Sequence, residues 1–415
     1  MLKSKVIIIG GGFAGITAAK CFDDESFDVL ILDKTNHHLF QPLLYQVASA
    51  ALSPGDIAFP IREIFRSYKN IRVIMDEVIS VDKQNHTVIS QYSKYSYDYL
   101  IIATGSRHSY FGKSEWEENA PGLKTLKDAL LLRERILNSF EEAEKSTDQK
   151  STQKYLTFVI VGGGPTGVEM AGAISEIAKK TLLKDFRNID PVNTKIILVE
   201  AAGKILASYP ESLSKHAEED LKSLGVEVKL NSPVTDINSS GVRIGNDFIE
   251  TTNIIWAAGN EISPLIKSLG VQTDKAGRAF VKPDLSIDGH PEIFVLGDAA
   301  IVISDGKQLP GTAPVAMQEG RYAGNLIKSG VDIENREPFR FVDKGDMATI
   351  GRAKAVANIR GIKLTGFFAW MAWCFIHIFY LIGFRNRFRV MAEWIWSYIT
   401  FKRGIRLIIG KSGDG

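Results

Sequence analysis

Two copies of one glycine-rich motif contain the residues whose types and spacing have the clearest chemical meaning. Residues 10–15 read Gly-Gly-Gly-Phe-Ala-Gly, and residues 162–167 read Gly-Gly-Gly-Pro-Thr-Gly. Such a turn binds a pyrophosphate, because the glycines allow close approach and the amides at the next helix N-terminus carry partial positive charge. One copy alone is a weak signal. Two copies indicate two dinucleotides in one chain, with electrons moving between them.

The elements that must position these turns follow in the required order. Apolar, mostly β-branched runs at 6–9 and 158–161 predict a strand before each turn, and small-residue stretches at 16–20 and 168–178 predict a helix after it. Strand, glycine turn and helix form the context in which the dinucleotide fingerprint is credible. The repeated plan predicts two α/β nucleotide-binding domains.

Acidic residues at two strand ends distinguish the two dinucleotides. Asp33 ends the strand after the first motif, close to where an acid binds an adenosine ribose. Glu200 ends the strand 195–199, and a carboxylate there favours NADH over NADPH because it repels a 2′-phosphate. Glu200 lies 33 residues beyond Gly167, more than the usual ~20, which predicts a longer helix or an insertion around 181–193. The alternative is that Glu200 is an ordinary acidic residue at the end of a strand, without a role in choosing the cofactor.

Further strand ends favour FAD at the first motif. Residues 103–105 and 257–259 close two buried strands in the same way, and Gly297-Asp298 follows a third, where the aspartate can bond ribityl hydroxyls. A helix starting near Thr312 would direct its positive end at the flavin ring. The predicted FAD-binding residues are Gly10, Gly12, Gly15, Asp33, Ala103, Thr104, Gly105, Gly297 and Asp298. The predicted NADH-binding residues are Gly162, Gly164, Gly167, Glu200 and Gly259.

Glu169, just after the second motif, has two open interpretations. It could stabilise the positive end of its helix, or it could face the nicotinamide and relay a proton. The sequence contains no Ser/His/Asp or Cys/His constellation, which hydride transfer between cofactors does not require. No metal site is predicted, because His37 and His38 have no accompanying ligand cluster.

Composition restricts the functional classes. A chain of 415 residues with 45% hydrophobic and 24% charged residues predicts two or three globular domains, and a net charge of +2 does not indicate nucleic-acid binding. The two cysteines, Cys21 and Cys374, are far apart, which argues against a dithiol redox centre. The first strand starts at residue 5 or 6 and leaves no room for a signal peptide, so a cytoplasmic location is expected.

The C-terminal end differs from the rest. Residues 366–384 carry no formal charge, and four of the six tryptophans follow residue 369. The next residues are rich in arginine and lysine, namely Arg385, Arg387, Arg389, Lys402, Arg403 and Arg406. Aromatic plus basic residues predict a segment that lies in the headgroup region of an anionic membrane. A spanning helix and a buried dimer interface are the alternatives.

The chain resembles the type II NADH dehydrogenases, single-subunit NADH:quinone oxidoreductases, over nearly its whole length. Besides both glycine motifs, the resemblance rests on segments 36–48 (Asn-His-His-Leu-Phe-Gln-Pro-Leu-Leu-Tyr-Gln-Val-Ala), 309–318 and 344–352 and on the aromatic-basic tail. It implies non-covalent FAD, NADH as donor, a quinone acceptor reached from the membrane and no proton pumping. Family members often carry Ala-Gln beside the flavin where this chain has Ala313-Pro314. Gln318 and Lys363 join Glu169 as candidate catalytic residues by this resemblance.

The predicted fold class is α/β, with two Rossmann-like domains, the NADH domain inserted in the FAD domain, and a C-terminal helical membrane-anchoring region. The expected bounds are 1–111 and 281–335 for the FAD domain, 112–280 for the NADH domain and 336–415 for the C-terminal region. The expected location is the cytoplasmic face of the inner membrane, with a homodimer by family analogy. Alternatives are a sulfide:quinone or ferredoxin-reductase-like enzyme, or a non-enzymatic NADH-sensing flavoprotein.

Overall fold

The computed structural model describes residues 3–400 and 405–408. Within them the chain forms two compact units, each built from separate stretches of sequence. Unit 1 comprises Met1–Leu39, Ala58–Arg107 and Asn260–Asp343, and unit 2 comprises Phe40–Ile57, His108–Gly259 and Lys344–Gly415. The predicted insertion of one nucleotide domain into the other is present. The chain rejoins unit 1 at Asn260, whereas the sequence predicted this return near residue 280.

The α-helices of the described residues range from four residues to twenty. They are α1 (Phe13–Ala19), α2 (Leu44–Ala48), α3 (Pro54–Ile57), α4 (Ile61–Ile64), α5 (Leu126–Lys145), α6 (Gln149–Tyr155), α7 (Pro165–Glu176), α8 (Glu211–Ser223), α9 (Pro264–Ser268), α10 (Ala313–Ser329), α11 (Gly366–Tyr380) and α12 (Phe384–Thr400).

Unit 1 is built on a six-stranded sheet. Its order is Ser286–Ile287, His290–Val295, Tyr99–Ile102, Ser4–Ile9, Phe27–Asp33 and Ile71–Met75, all parallel except the first pair. Strands covered on both faces are expected to be continuously apolar, and Val6 to Ile9 is buried throughout. An antiparallel sheet of Val78–Asp82, Thr87–Ser90 and Lys94–Ser96 follows. The alternation of apolar and polar residues over 71–95, with turn residues between them, predicts short antiparallel strands. For Ile71–Met75 this was wrong, because that strand extends the parallel sheet.

Unit 2 contains the second nucleotide-binding sheet, four parallel strands in the order Val226–Lys229, Lys195–Val199, Thr157–Val161 and Asn253–Trp256. A three-stranded sheet of Val234–Asn238, Gly241–Ile244 and Asp247–Glu250 packs into the same core. The third sheet, of Asp346–Gly351, Lys354–Ile359 and Ile362–Thr365, packs against α7 and α11. The predicted C-terminal region 336–415 is therefore not a separate unit, since its strands pack on the helix that follows the second glycine turn.

The remaining strands of the described residues are short, and they are His37–Leu39, Ala58–Pro60, Ser106–His108, Asn260–Ile262, Ala279–Phe280, Ala300–Ile301, Ile303–Ser304 and Lys307–Gln308.

Two local departures from the sequence-based expectations have clear causes. The polar composition of residues 146–154 predicts a loop. In the structure α6 occupies most of that stretch, because Asp148 caps it by accepting a hydrogen bond from the Ser151 amide. The predicted extension near 181–193 is a π-helical turn, Ile177–Thr181, at the end of α7, followed by an irregular segment up to Lys195. A π-helical turn often marks a functional site in a helix.

The C-terminal apolar stretch bends after fifteen residues. α11 ends at Tyr380, and α12 begins at Phe384. Among the described residues, none of the helices combines the length and apolar character needed to cross a bilayer. Lys402 and Arg403 of the basic tail lie outside the described residues.

Candidate functional site

The first glycine turn in unit 1 is braced by the acid predicted to bind ribose. Asp33 accepts a hydrogen bond from the Gly11 amide at 2.6 Å through Oδ2, and Oδ1 accepts from the Thr35 amide at 2.6 Å. Gly10 has a φ of +106°, and a Cβ there would lie 2.3 Å from the Ala103 carbonyl oxygen. Only glycine fits at this position. Oδ1 also accepts from the Thr35 hydroxyl at 2.7 Å, so Oδ2 is the oxygen with a further lone pair for a ribose hydroxyl.

The second glycine turn, in unit 2, repeats this arrangement. Glu200 Oε2 accepts from the Gly163 amide at 2.6 Å, and Oε1 accepts from the Ala202 amide at 2.7 Å. Gly162 has a φ of +110° and lies against the Ala257 carbonyl group. Glu200 therefore accepts the same kind of hydrogen bond from the second turn that Asp33 accepts from the first.

The flavin-binding residues predicted from the other strand ends also lie in unit 1. Asp298 accepts from the Ser106 hydroxyl at 2.6 Å and borders a cavity of about 260 Å³. The Thr104 hydroxyl oxygen is buried and makes no hydrogen bond within the described residues. Beside Gly12 and Gly105 there is open space where a side chain would otherwise stand. A buried hydroxyl with unused bonding capacity and two open glycine positions fit a bound FAD.

Glu319 is a buried acid that was not predicted from the sequence. It is 1% exposed on α10, and its Oε2 accepts a hydrogen bond from the Gly297 amide at 2.5 Å. Burial, opposed by this bond and reinforced by Asp298, raises the pKa of Glu319 to about 8. A signal was available in the sequence, because Glu319 interrupts the apolar face of α10 between Val315 and Ala323.

Glu169 lines a second cavity, of about 100 Å³, which belongs entirely to unit 2. Burial raises the pKa of its carboxyl group well above the usual value, although a hydrogen bond to the Thr349 backbone opposes the shift. Burial, followed by the charge of Glu169, also raises the pKa of Tyr45 in the same cavity. A carboxyl group in this environment keeps its proton at pH values where an exposed one has lost it. The other residues around the cavity are Gln46, Ser49, Ala51, Ala173, Glu176, Thr181, Ile350, Gly351, Arg352, Trp370, Trp373, Cys374, Trp394, Ser397 and Tyr398.

A hydrogen-bonded chain connects α2 to α12 along this cavity. The Trp394 indole donates to Gln46 Oε1 at 2.7 Å, and Gln46 Nε2 donates to the Tyr45 hydroxyl at 2.9 Å. Trp373 stacks on His377 with a centroid distance of 4.2 Å. Burial lowers the pKa of His377 to about 4, so the imidazole is neutral near pH 7. In the sequence, Tyr45 and Gln46 contribute only to the family resemblance of segment 36–48.

Arg352 joins three elements at the cavity. Its amide donates to Glu176 at 2.5 Å, and its guanidinium lies 4.1 Å from the centre of the Tyr398 ring. A cation over an aromatic face is attractive. Arg352 thereby holds α12 near the end of α7.

The three candidate catalytic residues do not share one environment. Glu169 lines the unit 2 cavity, whereas both ends of the Gln318 amide are bonded to the Val342 backbone, as donor and as acceptor at 3.0 Å each. Lys363 is exposed on the strand Ile362–Thr365. Of the three, Glu169 is the residue that lines one of the two cavities described above.

The chain matches two known family models, one after the other along its length. The family model described as pyridine nucleotide-disulphide oxidoreductase matches residues 4–320, and that of the NDH2 C-terminal domain matches 344–403. Two type II NADH:quinone oxidoreductases of Mycobacterium tuberculosis, NdhA and Ndh, are 44% and 41% identical over 97% of this chain and 88% and 89% of theirs. The structure of NDH2 from Plasmodium falciparum in complex with NADH has a TM-score of 0.89 at 22% identity, covering 99% of this chain and 100% of that one. This last likeness concerns the fold.

Proposed function

The chain belongs to the family of type II NADH:quinone oxidoreductases, and from this premise we propose how its residues divide the reaction. It is an FAD-dependent NADH dehydrogenase that delivers electrons to a quinone without pumping protons. FAD, when bound, accepts a hydride from NADH and passes two electrons on. The observation that carries the residue-level proposal is the unit 2 cavity, where a carboxyl group of raised pKa stands among aromatic side chains.

The two glycine turns hold the two dinucleotides. In unit 1, the turn at residues 10–15 binds the FAD pyrophosphate, Asp33 binds the adenosine ribose and Asp298 binds the ribityl chain. In unit 2, the turn at residues 162–167 binds NADH, and Glu200 binds its adenosine ribose. The hydrogen bonds from Gly11 and Gly163 that hold these two acids in place support the assignment. Glu200 also disfavours NADPH, because its negative charge repels a 2′-phosphate.

The quinone head group binds in the unit 2 cavity, where Glu169 supplies a proton. Reduction of a quinone to a quinol consumes two electrons and two protons, so a proton donor near the acceptor oxygens is needed. Glu169 suits this role because burial keeps it protonated. The lining by Trp370, Trp373 and Trp394 suits a flat, apolar ring.

The helices that line this cavity also dock the protein on the membrane. On α11, Phe368, Met371, Phe375 and Phe379 are exposed at helical spacing, and on α12 the same holds for Phe384, Phe388, Met391, Ile395 and Ile399. Arg385 and Arg389 on α12 are exposed cations that suit anionic headgroups. Apolar stripes with adjacent arginines are typical of helices that lie in the membrane interface. By family analogy the surface is the cytoplasmic face of the inner membrane, and the protein is a homodimer.

Reduction of the flavin by NADH and its reoxidation by quinone can be measured separately, and a change in the cavity should affect only the reoxidation. Ser397 on α12 lines the cavity, and Ser397→Phe should fill it. NADH should still bleach the flavin of this variant at the wild-type rate, while reoxidation by a water-soluble quinone should slow at least tenfold. Ala392→Phe is the matched control, because Ala392 is exposed on the same helix. Wild-type reoxidation in Ser397→Phe would place the quinone elsewhere.

Vesicle co-sedimentation tests the membrane proposal. The double variant Phe375→Ser and Phe379→Ser should bind anionic lipid vesicles much more weakly than wild type, because it removes two exposed aromatic rings from one stripe. Phe248→Ser, an exposed phenylalanine on the strand Asp247–Glu250, is the control. Unchanged vesicle binding together with a loss of self-association in the double variant would assign the stripe to a protein interface.

A further inference from the structure

Phe111 in unit 2 combines two features that an aromatic residue rarely has. Its φ is +51°, in the left-handed region that favours glycine, and its side chain is 70% exposed. A bulky residue at positive φ is an outlier that the surrounding structure must maintain. Backbone strain of this kind concentrates at binding and catalytic sites. The positive φ belongs to a tight turn, since Gly112 is also at positive φ and the Lys113 amide donates to the Tyr110 carbonyl at 2.9 Å. Core packing does not explain the exposure of the ring, because the ring contributes little buried surface.

The loop that carries Phe111 is firmly held. The Ser109 carbonyl accepts a hydrogen bond from the Trp256 indole at 2.9 Å, and the Ser109 hydroxyl accepts from the Phe111 amide at 3.3 Å. Tyr110 stacks on Trp256 at a centroid distance of 5.2 Å and donates its hydroxyl to the Ala120 carbonyl at 2.9 Å. The exposed ring therefore stands on an ordered support.

The strand order locates Phe111 relative to the NADH turn. The strand Thr157–Val161, which leads into that turn, lies between Lys195–Val199 and Asn253–Trp256. Glu200 follows the strand on one side. On the other side, Gly259 lies beyond the end of the strand Asn253–Trp256, and the Phe111 ring lies over it. A Cβ on Gly259 would come within 2.6 Å of the ring. Ligands of such sheets bind at the carboxyl ends of the strands.

A dinucleotide that places its adenosine ribose on Glu200 and its pyrophosphate on the glycine turn must extend its other half towards Asn253–Trp256. We propose that the Phe111 ring is a contact platform for the nicotinamide ring of NADH. An exposed phenyl face offers stacking to a flat heteroaromatic ring. The absence of a side chain at Gly259 leaves the phenyl ring free to lie close to the strand end. This inference rests on the proposed NADH site at residues 162–167.

Two ligands that differ only in the nicotinamide test this proposal. ADP-ribose shares with NAD⁺ the adenosine, the pyrophosphate and the second ribose, but it lacks the nicotinamide ring. The variant is Phe111→Asn, because asparagine tolerates positive φ and the backbone can keep its conformation. Binding to the FAD-loaded protein is measured by calorimetry for NAD⁺ and for ADP-ribose.

The variant should bind NAD⁺ about threefold to tenfold more weakly than wild type, the range expected for loss of one aromatic pair. Its affinity for ADP-ribose should be unchanged. The variant Phe111→Tyr, which keeps an aromatic ring, should bind NAD⁺ as tightly as wild type. Phe248→Asn, another exposed phenylalanine of unit 2, should leave both affinities at the wild-type level.

Equal weakening of both ligands would overturn the proposal, since it would mean that Phe111 only supports the loop. Unchanged NAD⁺ affinity would overturn it as well. Failure of the wild-type protein to bind ADP-ribose has a different meaning, because it would reject the glycine turn as the NADH site. A thermal melt of Phe111→Asn at or above the wild-type temperature would verify that the variant folds.

Discussion

The buried carboxyl group of Glu319 should make the stability of the protein depend on pH in a defined direction. Its pKa is about 8 in the folded chain, against 4.5 for an ordinary glutamate. The folded state therefore holds this proton over a range in which the unfolded state has released it. The stabilisation is fully present below about pH 4.5, decreases as pH rises and is lost above about pH 8. At about 1.4 kcal/mol per pH unit, the whole effect amounts to about 5 kcal/mol.

Replacement of Glu319 by glutamine isolates this contribution. Glutamine is neutral at every pH, and its Oε1 can still accept the hydrogen bond that the Gly297 amide now donates. The free energy of unfolding of the wild-type protein should fall by about 2 kcal/mol more than that of Glu319→Gln between pH 6 and pH 8. Urea unfolding at fixed FAD concentration measures this difference in slope, because bound cofactor also stabilises the folded state.

The matched control is Glu334→Gln, which removes an exposed carboxylate from the same unit. Its pH profile should run parallel to that of wild type. A parallel loss of stability in Glu319→Gln and wild type over this range would contradict the prediction, since Glu319 would then not retain its proton on folding.

Three further changes test other parts of the structure. Gly172→Ala should lower the free energy of unfolding, measured by urea denaturation, by about 1–3 kcal/mol. The reason is that its Cβ would lie 1.7 Å from the Ile350 carbonyl oxygen. Gly55→Ala is the control and should leave the free energy of unfolding unchanged, because the space around Gly55 is open. The wild-type rate of flavin reoxidation by quinone should fall as pH rises through the raised pKa of Glu169, since the donor must be protonated; Glu169→Gln should be slow at every pH in stopped-flow measurements. In steady-state assays, Glu200→Ala should raise the KM for NADH and reduce the preference of the enzyme for NADH over NADPH. An unchanged ratio of the two KM values would contradict the role of Glu200 in binding the ribose.

Local rules were sufficient to predict the α/β fold and the arrangement of both glycine turns. A strand, a tight turn and a helix are determined by short-range features of the chain, such as β-branched runs and positions where only glycine fits. Gly10 and Gly162 are such positions, since each has a φ above +100° and lies against a backbone carbonyl group. The fold class predicted from these signals is confirmed by the likeness to the NDH2 structure. The ends of the predicted strands were also nearly right, because the acids that follow them are polar in an otherwise apolar run.

Features that depend on contacts distant in sequence were not accessible in this way. The sequence contains no sign that α2 packs beside α7, so the hydrogen-bonded chain from Tyr45 through Gln46 to Trp394 was not predicted. The division of the chain at Asn260 depends on which sheet each segment joins. Gln318 was selected by resemblance alone, and its amide is bonded to the backbone of Val342.

Helix α7 explains why the nucleotide domain and the C-terminal strands form one unit. Its N-terminus follows the glycine turn at residues 162–167, and its side carries Glu169, Ala173 and Glu176 along the cavity. Gly172 on the same helix allows the strand Asp346–Gly351 to approach within backbone contact, which brings Thr349 and Arg352 to the cavity wall. A shift of that helix would displace both the proposed pyrophosphate site and the wall that holds Glu169, the proposed proton donor. The same helix therefore takes part in both sites. Its Gly167 and Gly172 permit this close packing, because a Cβ at Gly167 would lie 1.8 Å from the Gly162 carbonyl oxygen and one at Gly172 would lie 1.7 Å from that of Ile350.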